Sequence, residues 1–515
     1  MSLKAKSLAG AFFNLSANGF SQLVNFVVYA IMARLLGVEE FGLVAICLMV
    51  VEFCNLFVTV GISQNLIQRE KWDNQFASMS FWVLMGVSAA IAVLIFAVAV
   101  PIAYYTYSEL AAQLIAALAI VPIANGFRLV HKAKLEREFE NKKLAVYDTV
   151  GVVAGGIVSV VTALMGFGAW AIIFGKILQA VVSTVMTCIK SDFSPEKVTS
   201  KEHLPEIIQF SKPLIAMSFV NFFSQKTSNL IIAFFLGAST FAYTSVARQG
   251  FSVLNNLTFQ PLNRIALAGL ARVETARLSG AFGRMVGMTA LFVSPVYFGI
   301  GAVAHPFIDV VFGDKWVTSA YLLSILSLMS PTQVMAYYLP NLLISRGLPG
   351  PAFKLNMINL VLNLALPAAG VPWGVYGVIV GLVIANYVSL LMKFALVKKH
   401  LGIGVMDALR NSWMFSFASL VMYASVLYIE RMNVYGIENI YLDLVSLVAT
   451  GAAIYGGILM LFFRKYTFKV MAELKGQKKA KKGKAKAAPA NLEQQAREAE
   501  SNEKVTASVD ETVKP

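Results

Sequence analysis

The sequence predicts an all-α polytopic membrane protein of about fourteen transmembrane helices, twelve of them in two parallel six-helix repeats and two appended. Three observations carry that expectation. Of 515 residues, 57% are hydrophobic and only 14% charged, with a mean hydropathy of +0.68, whereas an ordinary soluble chain carries about 25% charged residues. The apolar residues gather into fourteen runs, each long enough to cross a hydrocarbon core of about 30 Å as a helix. Several local patterns also recur some two hundred positions apart.

Taken in order, the runs fall at 9–36, 41–66, 77–103, 109–130, 144–166, 169–189, 207–236, 240–267, 283–304, 317–344, 353–370, 374–397, 410–429 and 440–463. The first follows Lys4 and Lys6, as a signal peptide would, but it is too long and lacks a small-residue cleavage site after a compact apolar core. Lys and Arg are retained on the cytoplasmic side. With the amino terminus inside, the short inner segments hold 23 basic residues and the tail 13, against Lys315 and Arg431 alone in the outer loops. Both termini are therefore expected in the cytoplasm. The net charge of +15 is then topology and tail, and no nucleic-acid partner is implied.

The repeat rests on three matches in the same order. LLGVEEFG (Leu35 to Gly42) pairs with FLGASTFA (Phe235 to Ala242) at an offset of 200, and AVAVP ending at Pro101 pairs with AVAHP ending at Pro306 at 205. Gly168, Trp170 and Gly175 pair with Gly374, Tyr376 and Gly381 at 206. The expected divisions are an N-lobe over 1–190 (spans 1–6), a cytoplasmic linker over 191–206, a C-lobe over 207–400 (spans 7–12), spans 13 and 14 over 401–464, and a disordered tail over 465–515. An even number of spans per copy makes the copies parallel, and such repeats place a substrate path at their interface.

Polar residues inside the spans mark that path. In NLSANGFSQLVN, Asn14, Asn18, Gln22 and Asn25 fall within roughly 80° of helix face. Span 7 answers with Ser218, Asn221, Gln225 and Asn229; span 2 adds Asn55 and span 8 adds Asn255, again 200 apart. One reading is interhelical glue, at about 0.6 kcal/mol per bond. The paired stripes favour a water-filled central cavity. Charge buried in a span costs at least about 2.5 kcal/mol, so Glu52, Lys176, Lys226 and Arg248 are expected to face protein or water. Lys226 and Arg248 are read as a cationic lining for an anionic group such as a diphosphate, with pairing of Glu52 to a nearby cation as the plainer alternative. Arg34 is read as reaching the outer headgroups.

Catalytic and metal chemistry finds no footing. The four histidines are scattered, and Cys47, Cys54 and Cys188 are read as packing residues. No phosphate-binding glycine loop is present, and no cofactor is expected. Proton or sodium coupling stays open, with Glu52 or Asp148 as candidate carriers. A membrane glycan polymerase, ligase or transferase would need a sizeable outer loop or an acid cluster. The outer loops are short, and Glu39 with Glu40 reads as a helix-start charge pair. The Lys-, Ala- and Glu-rich tail is expected to be disordered, with its basic half near anionic lipid.

Five stretches, ARLLGVEEFGLVA (Ala33 to Ala45), VGISQNLIQRE (Val60 to Glu70), FRLVHKAKLEREFE (Phe127 to Glu140), PLNRIALAGLARV (Pro261 to Val273) and VFGDKW (Val311 to Trp316), carry a resemblance. The sequence resembles the Wzx-type flippases, the polysaccharide transporter branch of the multidrug/oligosaccharidyl-lipid/polysaccharide (MOP) superfamily, and within it the subgroup of the colanic acid exporter. The resemblance implies V-shaped lobes like those of multidrug (MATE) transporters. It also implies a multi-pass place in the bacterial inner membrane and a cargo of undecaprenyl-diphosphate-linked oligosaccharide repeat units, moved to the periplasmic leaflet for exopolysaccharide or lipopolysaccharide synthesis. Membrane lipids and a polysaccharide polymerase or export machinery are the implied partners. A MATE-like small-molecule antiporter and a lipid II flippase stay open as alternatives.

Overall fold

The computed structural model describes residues 3–197, 203–270, 273–464, 466–468 and 470, with side chains from residue 17 onward except 253–254, 256–270 and 275–276. Helix is what an apolar chain must form where no water reaches its backbone, because every N–H and C=O then bonds within its own segment. Nineteen α-helices follow one another, and no strand occurs among the described residues. They are α1 (Leu3–Leu35), α2 (Val38–Thr59), α3 (Ile62–Gln68), α4 (Asn74–Leu94), α5 (Val100–Thr106), α6 (Glu109–Leu118), α7 (Ile120–Arg137), α8 (Asn141–Leu164) and α9 (Trp170–Lys190). After the linker come α10 (Leu204–Leu270), α11 (Thr275–Ala302), α12 (Ala304–Phe312), α13 (Val317–Ser327), α14 (Ser330–Ala336), α15 (Leu339–Ser345), α16 (Pro349–Ala369), α17 (Gly374–Leu401), α18 (Val405–Arg431) and α19 (Ile440–Phe462).

Among the described residues, eleven helices are long and apolar enough to cross a membrane, or twelve if the pair Asp314–Ser327 and Ser330–Ser345, bent by 46°, is one span. The sequence expectation of fourteen differs at identifiable places. Within the 67 residues of α10, Gly237 stands at φ 81°, ψ 177°, outside helical geometry. The 33-residue α1 is not among the eleven. The linker is described only to residue 197 and again from 203, and nearly all of the tail lies outside the described residues. Contacts group Met1–Ala452 as one unit and Ala453–Pro515, which holds the end of α19, as another.

Sequence punctuation explains the breaks. Asp73 caps α4 by accepting from the Gln75 N–H at 2.9 Å, and Ser108 caps α6 through the Ala111 N–H at 3.2 Å. A five-residue π-turn, Ile95–Ala99, precedes Pro101, and the break at Val303 precedes Pro306. Gly168 (φ 52°) and Gly374 (φ 67°) both stand just before or at the start of a helix, α9 and α17. Seven residues on, Gly175 and Gly381 each sit where a Cβ would run into the neighbouring helix: onto the Gly155 carbonyl of α8 at 2.4 Å in the first case, and onto the Leu366 carbonyl of α16 at 2.5 Å in the second.

One charged face has a structural task. On α7, Arg128, His131, Lys134 and Arg137 recur every third residue and fasten the ends of neighbouring segments. Arg128 pairs with Asp148 of α8 at 2.5 Å and donates to Thr187 of α9 at 2.9 Å. His131 shares a hydrogen bond with Ser191, Lys134 donates to the Asp192 carbonyl at 2.7 Å, and Arg137 donates to the carbonyls of Leu66, Arg69 and Glu70. The stretch Phe127 to Glu140 is thus a keel.

Candidate functional site

The carboxamide stripes divide into two groups. On α1, Asn18 and Gln22 are exposed and Asn25 is half-buried, while the Asn14 side chain lies outside the described residues. On the first segment of α10, Gln225 is exposed, and Asn229 is half-buried with its Oδ1 buried and without a hydrogen-bond partner. The others bridge helices. Asn55 accepts from Asn125 Nδ2 of α7 at 2.9 Å, Asn221 accepts from Asn356 Nδ2 of α16 at 3.2 Å, and Asn255 accepts from the Tyr297 hydroxyl of α11 at 3.3 Å. Interhelical bonding therefore accounts for part of the pattern, and open polar surface for the rest.

The four charged candidates do not converge. Lys226 Nζ donates to Glu52 Oε2 at 2.8 Å, joining α10 to α2, with the Glu52 side chain about half exposed. Arg248 Nη2 donates to Ser228 Oγ at 2.8 Å, leaving its Nε buried without a hydrogen-bond partner. Positions 226 and 228 project about 200° apart on a helix, so the two cations address different sides of α10. Asp148 is held by the Arg128 ion pair.

Lys176 stands elsewhere, in a cavity of about 300 Å³ among α1, α2, α8 and α9. Gln22, Asn25, Tyr29, Gln179 and Gln249 also line it. Three of these, Tyr29, Gln179 and Gln249, were not singled out from the sequence. Gln179 lies one turn beyond Lys176 and accepts from its ammonium at 3.3 Å; Gln249 follows Arg248 and reaches the cavity from α10. Their spacing from charged neighbours was the available signal.

At the end expected to face outward, the C-terminal ends of α1 and α12 bind each other through main-chain carbonyls. Arg34, far from seeking headgroups, donates from Nε to Val311 O at 3.0 Å and from Nη2 to Asp309 O at 3.3 Å and to Val310 O. In return Lys315 Nζ donates to Arg34 O at 2.9 Å and Leu36 O at 2.5 Å, and the fully buried Trp316 donates to Ala33 O at 3.0 Å. Each side thus binds carbonyls at a helix C-terminus of the other, α1 and α12. Edge-to-face rings fill the space beneath: Tyr29 on Phe312 and Phe41 on Trp316, with centroids 6.2 and 5.4 Å apart. Gly42 lies so close to the Ala238 carbonyl that a Cβ would overlap it. VFGDKW, noted in the sequence without a task, supplies half of this clasp.

Comparison with known proteins follows the geometry. A family model described as polysaccharide biosynthesis protein matches residues 31–321. The chain is 24% identical over 446 residues to the succinoglycan biosynthesis transport protein ExoT of Rhizobium meliloti (strain 1021), covering 85% of this chain and 89% of that one. It is 23% identical to the lipopolysaccharide biosynthesis protein WzxC of Escherichia coli (strain K12), covering 82% and 87%. Its fold is similar to the lipid II flippase MurJ in an inward closed conformation, with a TM-score of 0.73 at 16% identity over 88% of this chain and 99% of that one.

Proposed function

The chain belongs to the polysaccharide biosynthesis protein family, and from that premise we propose that it is a flippase of the bacterial inner membrane. It carries undecaprenyl-diphosphate-linked oligosaccharide units from the cytoplasmic to the periplasmic leaflet, where a polymerase or export machinery uses them. It works as a transporter rather than an enzyme. The observation that carries the reading is a polar stripe exposed on α1 beneath an end closed by the clasp.

The physical steps follow. A sugar head cannot cross hydrocarbon, but carboxamides both donate to and accept from hydroxyls, so Asn18, Gln22, Asn25, Gln225 and Asn229 line a wet path while the polyprenyl tail stays in lipid. The closed clasp makes this a state shut on the outer side, and its release opens that side. Fourteen spans with both termini inside are the topology we propose, counting α1 as one span and dividing α10 at Gly237. Two six-span copies are supported by the paired breaks before Pro101 and Pro306 and by the pairs Gly168 with Gly374 and Gly175 with Gly381. For coupling to a proton or sodium gradient, Glu52 is the better candidate, because it is exposed and pairs across helices, whereas Asp148 is tied into the keel.

The test is complementation. Deleting the gene should make lipid-linked repeat units accumulate on the cytoplasmic leaflet while surface or secreted polysaccharide disappears, and wild type should restore it. Arg248→Ala at equal abundance should restore less than a tenth, since it removes a charge-assisted bond and a cation from the path, worth about 1.5–3 kcal/mol. Unchanged glycan with altered sensitivity to small cations would favour a small-molecule antiporter instead. Accumulating lipid II with unchanged glycan would favour a lipid II flippase.

A further inference from the structure

We infer that the cavity around Lys176 is a side pocket that seats one sugar ring of the cargo and selects a ring bearing a carboxylate. This inference rests on the flippase reading and specifies which cargo it prefers. At about 300 Å³ the cavity is at the small end of ligand pockets, enough for a single ring and too small for a repeat unit. Its walls are of two kinds, as a sugar requires. Val28, Leu48 and Ile172 offer apolar faces for ring C–H groups, and Gln22, Asn25 and Gln249 offer amides for hydroxyls. The Tyr29 hydroxyl is buried and has no hydrogen-bond partner, which leaves a donor waiting for an acceptor.

The charge decides the class. Lys176 has one hydrogen-bond partner among the described residues, the neutral Gln179 oxygen at 3.3 Å, and no carboxylate lines the cavity. An ammonium inside a membrane protein with no counter-charge is a feature that a ligand anion completes. One cation suits one negative charge. The diphosphate carries more, and its attached polyprenyl chain has to remain in lipid, which favours a ring further along the head for a recess of about 300 Å³ between α1, α2, α8 and α9. Gln249 comes from α10, so an occupied pocket also touches the other half of the protein. Lys176 is thereby a specificity-determining residue for cargo.

The experiment uses the full-length protein in proteoliposomes and two synthetic polyprenyl-diphosphate disaccharides. They differ only at the terminal ring, glucuronate in one and glucose in the other. Binding and flipping are measured on the same preparations, with folding of each variant checked by its elution and melting profile. Wild type should bind and move the glucuronate form in preference. Lys176→Gln should weaken binding of that form about ten- to a hundredfold and leave the glucose form within about twofold, and Lys176→Arg should keep most of the preference. Gln179→Glu, which places a carboxylate beside the ammonium without removing it, should also abolish the preference. Equal binding of both forms by wild type, or a parallel fall for both in Lys176→Gln and Gln179→Glu, overturns the pocket. A binding preference that tracks Lys176 with no flipping of either form supports the pocket and overturns the transport reading instead.

Discussion

Arg34, Lys315 and Trp316 show how much a few donors decide. The bonds land on carbonyls at the ends of α1 and α12, most of them left unpaired by their own helix, and a net hydrogen bond contributes about 1 kcal/mol, more when the donor is charged. Arg34→Ala removes contacts to Val311 and Asp309 and strands the carbonyl end of α12. We expect a shift of about 2 kcal/mol toward the open outer end, roughly thirtyfold in the population ratio. A cysteine at Phe312 should then react with an impermeant maleimide added from outside, where the otherwise unaltered protein protects it; equal labelling would remove the gating role. The charged candidates were legible as residues, since cations and acids in apolar runs stand out. Their partners were not. Whether Lys226 meets Glu52 or Arg248 depends on which side of α10 each faces and which helix lies there, and one-dimensional spacing holds no record of the neighbour.

Among elements, glycine crossings hold α8 to α9 as closely as backbones allow. Gly155 and Gly175 oppose each other, and a Cβ on Gly175 would overlap Ser159 Oγ as well as the Gly155 carbonyl. Small residues at such crossings replace the hydrophobic drive that lipid does not supply. Gly175→Val should therefore cost more than the 1–3 kcal/mol of ordinary overpacking, read as a lowered Tm in detergent and reduced abundance in membranes. Gly86→Ala is the control, because a Cβ there meets nothing within 4 Å. Helix positions were well marked by hydropathy, and the repeat matches drew attention to Gly175 and Gly381 before their crossings were known. The interior of α10 was read as two runs, 207–236 and 240–267, and Gly237 at φ 81° falls in the gap between them. Breaks inside single runs, at Ile95–Ala99 and Val303, were signalled by Pro101 and Pro306, but their form was not, because a π-turn in lipid is as apolar as the helix around it.

At the scale of the molecule, polarity and charge are partitioned by place. The apolar fraction sets the solvent, the basic excess sets the expected orientation, and the tail from Lys475 adds further cations. Deleting residues 476–515 should leave export within about twofold of wild type, since lipid attraction of about 1 kcal/mol per lysine is screened by salt; abolished export at normal insertion would give the tail a task. What the sequence could not convey was closure, because the clasp joins residues about 280 positions apart through backbone atoms common to every residue. That choice of acceptor has an environmental meaning. Periplasm equilibrates with whatever surrounds the cell, and a latch of lysine on glutamate would loosen as acidity protonated its carboxylate. Amide carbonyls do not titrate, so with the clasp on the outer side, as proposed, the seal keeps its strength in acid through changes of medium that the cell does not control.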